Sequence, residues 1–357
     1  MTFSQSPLTP PTVVDMSDTI EEEKFCPIFV VGNSRSGTTL MGTILGRHAS
    51  VFRFEELHFF EELWSATDSD TNCSAEEAAS LAAKLFDIQR NGYLTRGNWK
   101  DYLEESQTLV DNITPPLSPD KIFSAFLGYE TKRQNKSIGC DQTPQNILYI
   151  GEILKHYPHA SIVHMIRDPR ATLLSQKNRW RRPFLSDNIP KKEAIRYWVN
   201  YHPITMTQLW KANVRTVDQF LDNERVYTLK YEDLLTEPEK EVEKVCQFAN
   251  ITFSPDMLQV PQVNSSSQRD QPQQSGINKG RADSWKKGGL SSTEIFLCQK
   301  ISRSLMNTHH YEALSVFPNP VFLVLSVLFF PIKLFLAVLL SLKRMRNLGE
   351  AIKRRIK

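Results

Sequence analysis

Cysteine is scarce and unpaired in this sequence: Cys26, Cys73, Cys140, Cys246 and Cys298 are scattered through 357 residues, with no Cys-x-x-Cys pair and no regular spacing to histidine. That pattern excludes a disulfide scaffold and a zinc module, and it predicts reduced thiols. Charge of one sign is equally short. A net charge of +3 over the whole chain is too small to make nucleic acid the main partner. The N-terminus, MTFSQSPLTPPTVVDMSDTIEEEKF, lacks a basic stretch followed by an apolar run, so no secretory signal is expected, and cytoplasmic synthesis and residence follow. There is no internal repeat and no cluster of metal-ligating side chains, so no metal is expected.

What is present is close to the composition of an ordinary globular protein, with 40% hydrophobic and 23% charged residues. Residues 1–24 are the exception. They are rich in Ser, Thr, Pro and acidic side chains, bury too little to offset the entropy of ordering, and read as a flexible tail. From Phe25 the pattern changes. Cys26 to Val31 is a short apolar run ending at Gly32, as expected of a strand buried on both faces. Ile162 to Ile166 and Val226 to Leu229 are two further candidates, with amphipathic helical stretches between them. After the third, Thr236 and Glu239 read as a capping box, with Val242, Val245, Cys246 and Ala249 following at helical spacing. Buried strands alternating with such helices predict an α/β fold, a parallel sheet flanked by helices. Gln259 to Asp283, full of Gln, Ser, Asn, Pro and Gly, reads as a long functional loop.

The chemistry concentrates at the end of the first strand. Gly32-Asn33-Ser34-Arg35-Ser36-Gly37-Thr38-Thr39 followed by Leu40, Met41, Ile44 and Leu45 is the order strand, glycine turn, helix. Such a turn aims free backbone N–H groups and the positive end of a helix dipole at an anion, as in a P-loop. The nucleoside-triphosphate version ends in Gly-Lys-Ser/Thr, whereas Thr38 follows Gly37 here and the cation comes earlier, at Arg35.

With RSGTT at Arg35 to Thr39, the sequence resembles the 3′-phosphoadenosine 5′-phosphosulfate (PAPS)-dependent sulfotransferase family, whose phosphosulfate loop has this form. The resemblance implies that Arg35, Ser36, Gly37, Thr38 and Thr39 hold the 5′-phosphosulfate of PAPS. In the run RDPRATLLS it places Arg167 and Ser175 on the 3′-phosphate, and in LKYEDLL it places Tyr231 beside the adenine. A guanidinium fork and a short hydroxyl suit a dianion, and a helix starting near Asp168 adds its dipole. The segment NKGRADSWKKGGLS, residues 278–291, is similar to the late basic loop that closes over the 3′-phosphate, with Lys279, Gly280, Arg281 and Lys286 in that role. These elements span Phe25 to Leu290 and imply a sulfotransferase domain over residues 25–317.

Sulfuryl transfer to a hydroxyl needs a base, and counting from Arg35 the resemblance puts it on Glu56 in Phe54-Glu55-Glu56-Leu57-His58-Phe59-Phe60. Glu55 and His58 stand as rivals. Apolar neighbours such as Phe54, Phe59 and Phe60 are expected to raise the pKa of Glu56 toward neutrality. Relatives carry Asp-Lys-Thr-Pro where this chain has Asp141-Gln142-Thr143-Pro144, which leaves stabilisation of the leaving group to Arg35 or to a lysine from elsewhere. A P-loop kinase or nucleotidase, and an inactive nucleotide-binding membrane adaptor, are the competing functions.

Residues 318–357 form a different segment. Val321 to Leu342 is long enough to span a bilayer but carries Pro331 and Lys333 in its middle, and the tail behind it holds Lys343, Arg344, Arg346, Lys353, Arg354, Arg355 and Lys357. Three arrangements are open: a monotopic anchor broken at Pro331 on the cytoplasmic face of a membrane, a single transmembrane pass, or a buried helix closing the domain. The first is favoured, since it keeps the basic residues on the cytoplasmic side. An anchor makes a lipid or lipid-linked glycan acceptor, beside a carbohydrate, the expected partner.

Overall fold

A computed structural model describes residues 25–66, 72–186, 189–262 and 269–341, together with Arg354. The flexible-tail expectation for residues 1–24 falls outside these residues, as does most of the basic tail. The first strand, β1 (Ile28–Gly32), is buried along its whole length and leads into helix α1 (Thr38–Gly46). Strand β2 (Val51–Arg53) follows, and then helices α2 (Ala75–Asn91), α3 (Leu103–Asp111) and α4 (Pro119–Arg133). Strand β3 (Ile138–Asp141), helix α5 (Ile150–His156) and strand β4 (Ser161–Ile166) return the chain through the sheet. Helices α6 (Pro169–Lys177), α7 (Arg182–Leu185), α8 (Glu193–Asn200) and α9 (Pro203–Asp218) precede strand β5 (Val226–Lys230).

The five strands form one parallel sheet in the order β2-β3-β1-β4-β5. Alternate residues of β1 serve two cores. Phe29 and Val31 pack with Phe54, Phe59, Phe60 and Phe123 on one face, while Ile28 and Val30 pack with Met41, Ile44 and Leu45 of α1 on the other. Helices therefore cover both faces, which is why β1 reads as a continuous apolar run with no polar alternation. The chain leaves β1 toward β2 and β3 on one side and reaches β4 on the other, so the sheet has its topological switch point at β1. A crevice is expected there, beyond the carboxyl ends of the strands.

Three local expectations are corrected. Thr236 does not cap the helix that follows: it ends α10 (Tyr231–Thr236), its hydroxyl donating to the Glu232 carbonyl at 2.9 Å. Helix α11 (Pro238–Phe248) starts at proline, whose missing N–H costs nothing in a first turn, and buries Val242, Val245 and Cys246 as the spacing implied. The segment read as one long loop contains an antiparallel ribbon, β6 (Pro261–Gln262) with β7 (Gln271–Ser275), because even a polar strand gains backbone hydrogen bonds from pairing. After α12 (Ser292–Thr308), helix α13 (Pro320–Ser341) is not broken: it runs continuously through Pro331. None of the five cysteines forms a disulfide.

Candidate functional site

The turn after β1 sets the site. Gly37 caps α1 at φ 99°, a left-handed conformation that costs an L-residue strain, and a Cβ there would fall on the Tyr231 ring. Glycine is therefore required twice over at this position. No side chain caps α1, and a helix N-terminus of this kind suits an anion. The hydroxyl of Ser36, on a fully buried residue, has no hydrogen-bond partner.

Arginines surround this turn. Arg167, at the end of β4, donates to the Arg35 carbonyl at 3.0 Å and to the Arg281 carbonyl at 3.3 Å, and its guanidinium lies 4.3 Å over the Tyr231 ring. The remaining Nε–H of Arg167 is buried and unpartnered. Helix α6 begins as expected, with the Asp168 carboxylate accepting from the Arg170 N–H at 2.8 Å, and it presents Ser175, whose hydroxyl accepts from Arg35 Nε at 3.0 Å. Burial, with the charges of Arg179, Arg182 and Arg167, pushes the Arg35 guanidinium down to about 9. Like charges held this close in a crevice are relieved by an anion.

Arg170 has a different job. It is buried, pairs with Asp168 at 2.7 Å, donates to Gln299 at 2.9 Å and stacks on Trp285.

The chain after β2 brings in the carboxylate. Phe59 stacks on Phe123 at 4.0 Å, and Phe54, Phe59 and Phe60 are all spent on the core, so they turn away from Glu56. His58 sits in a left-handed conformation, φ 50°, between two acids: its Nε2 is 3.5 Å from Glu56 and its Nδ1 is 3.3 Å from Glu61. The turn is pinned from β3. Asp141 accepts from the Thr143 N–H at 3.0 Å and its hydroxyl at 2.6 Å, and the Thr143 oxygen accepts from the Leu57 N–H at 2.9 Å.

These contacts reverse the expected direction for Glu56. Burial raises its pKa, but the hydrogen bond and charge of His58, helped by Arg179 and Arg35, outweigh burial and hold it below the usual carboxylate value. Burial lowers the imidazole of His58, yet the two carboxylates win and carry it to about 9. At neutral pH the pair is a carboxylate and an imidazolium. The proton on His58 leaves its imidazole no lone pair with which to act as a base, and Glu56 is the ionised member of the pair. Glu55 lines the same cavity but is paired with Arg53 at 3.3 Å rather than with His58.

One cavity of about 1530 Å³ joins these groups, lined by Arg35, Gly37, Thr38, Thr39, Glu56, His58, Gln142, Arg167, Tyr231 and Arg281. Ser36 and Ser175 lie behind its lining rather than in it, and Lys279 and Gly280 are not among its lining residues either. The latter two form a short 3₁₀ turn whose last residue, Arg281, reaches it. Lys286 pairs with Asp283 at 2.8 Å instead. Gln142 is buried, with its carbonyl oxygen unpartnered. Among the cavity residues that escaped the sequence reading are Arg179 and Arg182. Arg179 lies one helical turn beyond Ser175 in the basic run Arg179-Trp180-Arg181-Arg182, a spacing that puts both on one side of the chain.

Comparison with known proteins gives a consistent picture. A family model described as "Sulfotransferase family" matches residues 27–255. The chain is similar to a Caenorhabditis briggsae protein provisionally named a protein-tyrosine sulfotransferase, 25% identical over 235 residues that cover 65% of this chain and 68% of that one. It is similar also to nodulation protein NoeE of Sinorhizobium fredii, 23% identical over 64% of this chain and 50% of the relative, so the chain spans half the length of that protein. The sulfotransferase domain from the curacin biosynthetic pathway superposes over 82% of this chain and 99% of its own, at 21% identity and a TM-score of 0.46.

Proposed function

The chain belongs to the sulfotransferase family, and from that premise we propose that it moves a sulfuryl group from PAPS to a hydroxyl of a carbohydrate, lipid or lipid-linked glycan. The observation that carries the reading is the arginine-lined turn: Arg35 depressed by burial and by its cationic neighbours, beside a helix N-terminus without a side-chain cap and two buried donors, Ser36 Oγ and Arg167 Nε, without acceptors. Such a set fits a bisphosphorylated nucleotide, which brings several negative charges and many acceptor oxygens. Residues Arg35 to Thr39 would hold the 5′ end, Arg167 and Ser175 the 3′-phosphate, with Arg179 and Arg281 beside them, and Tyr231 would face the adenine. Lys279 and Gly280 would serve by carrying Arg281.

The bound donor supplies an electrophilic sulfur and a phosphate leaving group. Glu56 accepts the hydroxyl proton as the acceptor oxygen bonds to sulfur, and the sulfur–oxygen bond to phosphate breaks with its electron pair staying on the phosphate. His58 stabilises Glu56 as a carboxylate beforehand. Arg35 offsets the charge growing on the leaving oxygen, the task a lysine would have had at Gln142.

Helix α13 supports association with a membrane. It is the one described helix long and apolar enough to cross a bilayer, and its apolar stretch is exposed rather than buried. Arg354 pairs with Glu152 at 2.6 Å and lies 4.4 Å over Tyr149, which keeps that part of the tail on the catalytic side and favours a monotopic arrangement over a spanning one.

Calorimetry on the detergent-solubilised full chain tests the donor assignment. Adenosine 3′,5′-bisphosphate is expected to bind at micromolar concentration or better, ATP with magnesium is not, and Arg167→Ala weakens the bisphosphate by ten- to hundredfold, roughly 1.5–3 kcal/mol for a charge-assisted hydrogen bond. Preference for ATP would overturn it in favour of a kinase.

A further inference from the structure

Helix α13 is not simply appended to the catalytic domain. Its half-buried positions, Leu323, Ser326, Phe330, Lys333 and Ala337 with its neighbour Val338, recur every three or four residues and make one narrow stripe against the domain. At that stripe His202 Nε2 lies 3.1 Å from the Ser326 carbonyl, and its ring is 5.3 Å from that of Phe330. The Lys333 ammonium lies 3.8 Å over the Trp198 ring and donates to the Trp198 carbonyl at 3.1 Å. The charge in the middle of the apolar run is therefore satisfied by protein. The rest of the helix is bare, with Phe322 60%, Leu328 62% and Phe335 66% exposed.

The apolar surface does not stop at α13. Ile195 and Trp198 of α8 and Phe184 of α7 are exposed to a similar degree, at 69%, 60% and 58%. An indole on this surface suits the headgroup level of a bilayer. The cavity that contains Glu56 is bounded on this side by Phe330, Leu334, Ala337 and Val338 of α13. Tyr201, Met206 and Leu209 continue the apolar lining toward the interior. At about 1530 Å³ it exceeds what one drug-sized ligand fills, leaving room for a second molecule beside a nucleotide.

We propose that the acceptor is a membrane amphiphile, whose hydroxylated headgroup enters at Glu56 while its hydrocarbon chain lies along the α13 wall of the cavity. The proposal rests on the sulfotransferase reading above and narrows its acceptor. The bilayer is the source of the occupant because the wall is continuous with a large bare apolar surface that a soluble acceptor would leave in water. The bond made is the acceptor oxygen to sulfur bond already described, with its proton passing to Glu56.

The test uses the full chain in phosphatidylcholine nanodiscs, a radiolabelled sulfuryl donor, and n-alkyl β-glucosides from butyl to octyl below their micelle concentrations. Turnover per unit concentration is expected to rise up to about fourfold for each added methylene, the value of one buried CH₂ group. Leu334→Glu, which leaves partition of the probes into the disc unaltered, is expected to flatten that slope while binding adenosine 3′,5′-bisphosphate as tightly as the parent. Ala337→Trp, which fills the cavity with an apolar group, is a second variant with the same expected outcome should the first fail to bind the bisphosphate. A slope shared by parent and variants, no turnover of any glucoside, or preference for a soluble tyrosyl peptide would overturn the proposal with the donor site intact. Absence of bisphosphate binding by the parent would overturn the sulfotransferase reading itself, and the acceptor proposal with it.

Discussion

Replacing His58 by Asn removes one charge from the site and leaves its backbone conformation accessible, since Asn tolerates the left-handed region that His58 occupies at φ 50°. The folded-state pKa of His58 stands at about 9 against an ordinary 6.5. Because the folded value is raised, the folded protein binds the proton more tightly than the unfolded chain does. The resulting stability is fully present below pH 6.5 and is lost as pH rises through about 9. The whole difference corresponds to roughly 3 kcal/mol, of which about 2 kcal/mol remains at pH 7.5. These figures are ceilings, because Glu56 faces the cavity, is 39% exposed, and shares its half of the pair with water. Urea unfolding of the parent and His58→Asn between pH 6 and pH 10 reads the effect directly. The two midpoints should lie furthest apart at pH 6 and converge by pH 10. Parallel curves, or a gap that widens with pH, would refute the assignment of an imidazolium held between Glu56 and Glu61.

Two other substitutions probe the framework of the site. Gly37→Ala meets a left-handed φ, worth about 1–2 kcal/mol, together with the ring of Tyr231, and should weaken adenosine 3′,5′-bisphosphate at least tenfold by calorimetry. Thr143→Val leaves the Leu57 N–H without its acceptor and takes the hydroxyl donor from Asp141, which keeps the residue-143 N–H and Asn146, so a loss of about 2–4 kcal/mol in urea stability is expected, along with a fall in turnover as the Glu56 turn loosens. The same change should raise further the pKa of Asp141, which burial already lifts to about 6; because the folded value is the higher one, Asp141 costs stability as pH rises from about 4 through 6, and in the variant that loss should be larger and extend to higher pH.

Much of the site was legible because its parts are local. A phosphate-binding turn is a strand, a glycine and a helix within a dozen residues, and the order Gly32 to Leu45 states all three. Strands β1, β4 and β5 announced themselves as short apolar runs, since a strand covered on both faces has no reason to alternate. Strands β2 and β3 did not: Val-Phe-Arg and Ile-Gly-Cys-Asp are too short and mixed to signal a strand, and they are held by pairing across the sheet. Helix α13 was visible by length and hydropathy, but its continuity was not, because a mid-helix proline is tolerated when the surrounding turns and contacts hold the helix.

What sequence alone determined, then, is the strand, glycine turn and helix of the proposed anion site and the class of fold that presents it, both consequences of residue types at short spacing. Only tertiary structure decided the charge state of the pair beside it. Glu56 was expected to be raised by phenylalanines next to it in the chain, yet those rings turn into the core against residues such as Phe123, and the groups that reach Glu56 include Arg179, more than a hundred residues away in the sequence. Electrostatic energy depends on distance through space and on burial. Neither is a property of neighbours in the chain, and the same holds for the wall that α13 adds to the cavity.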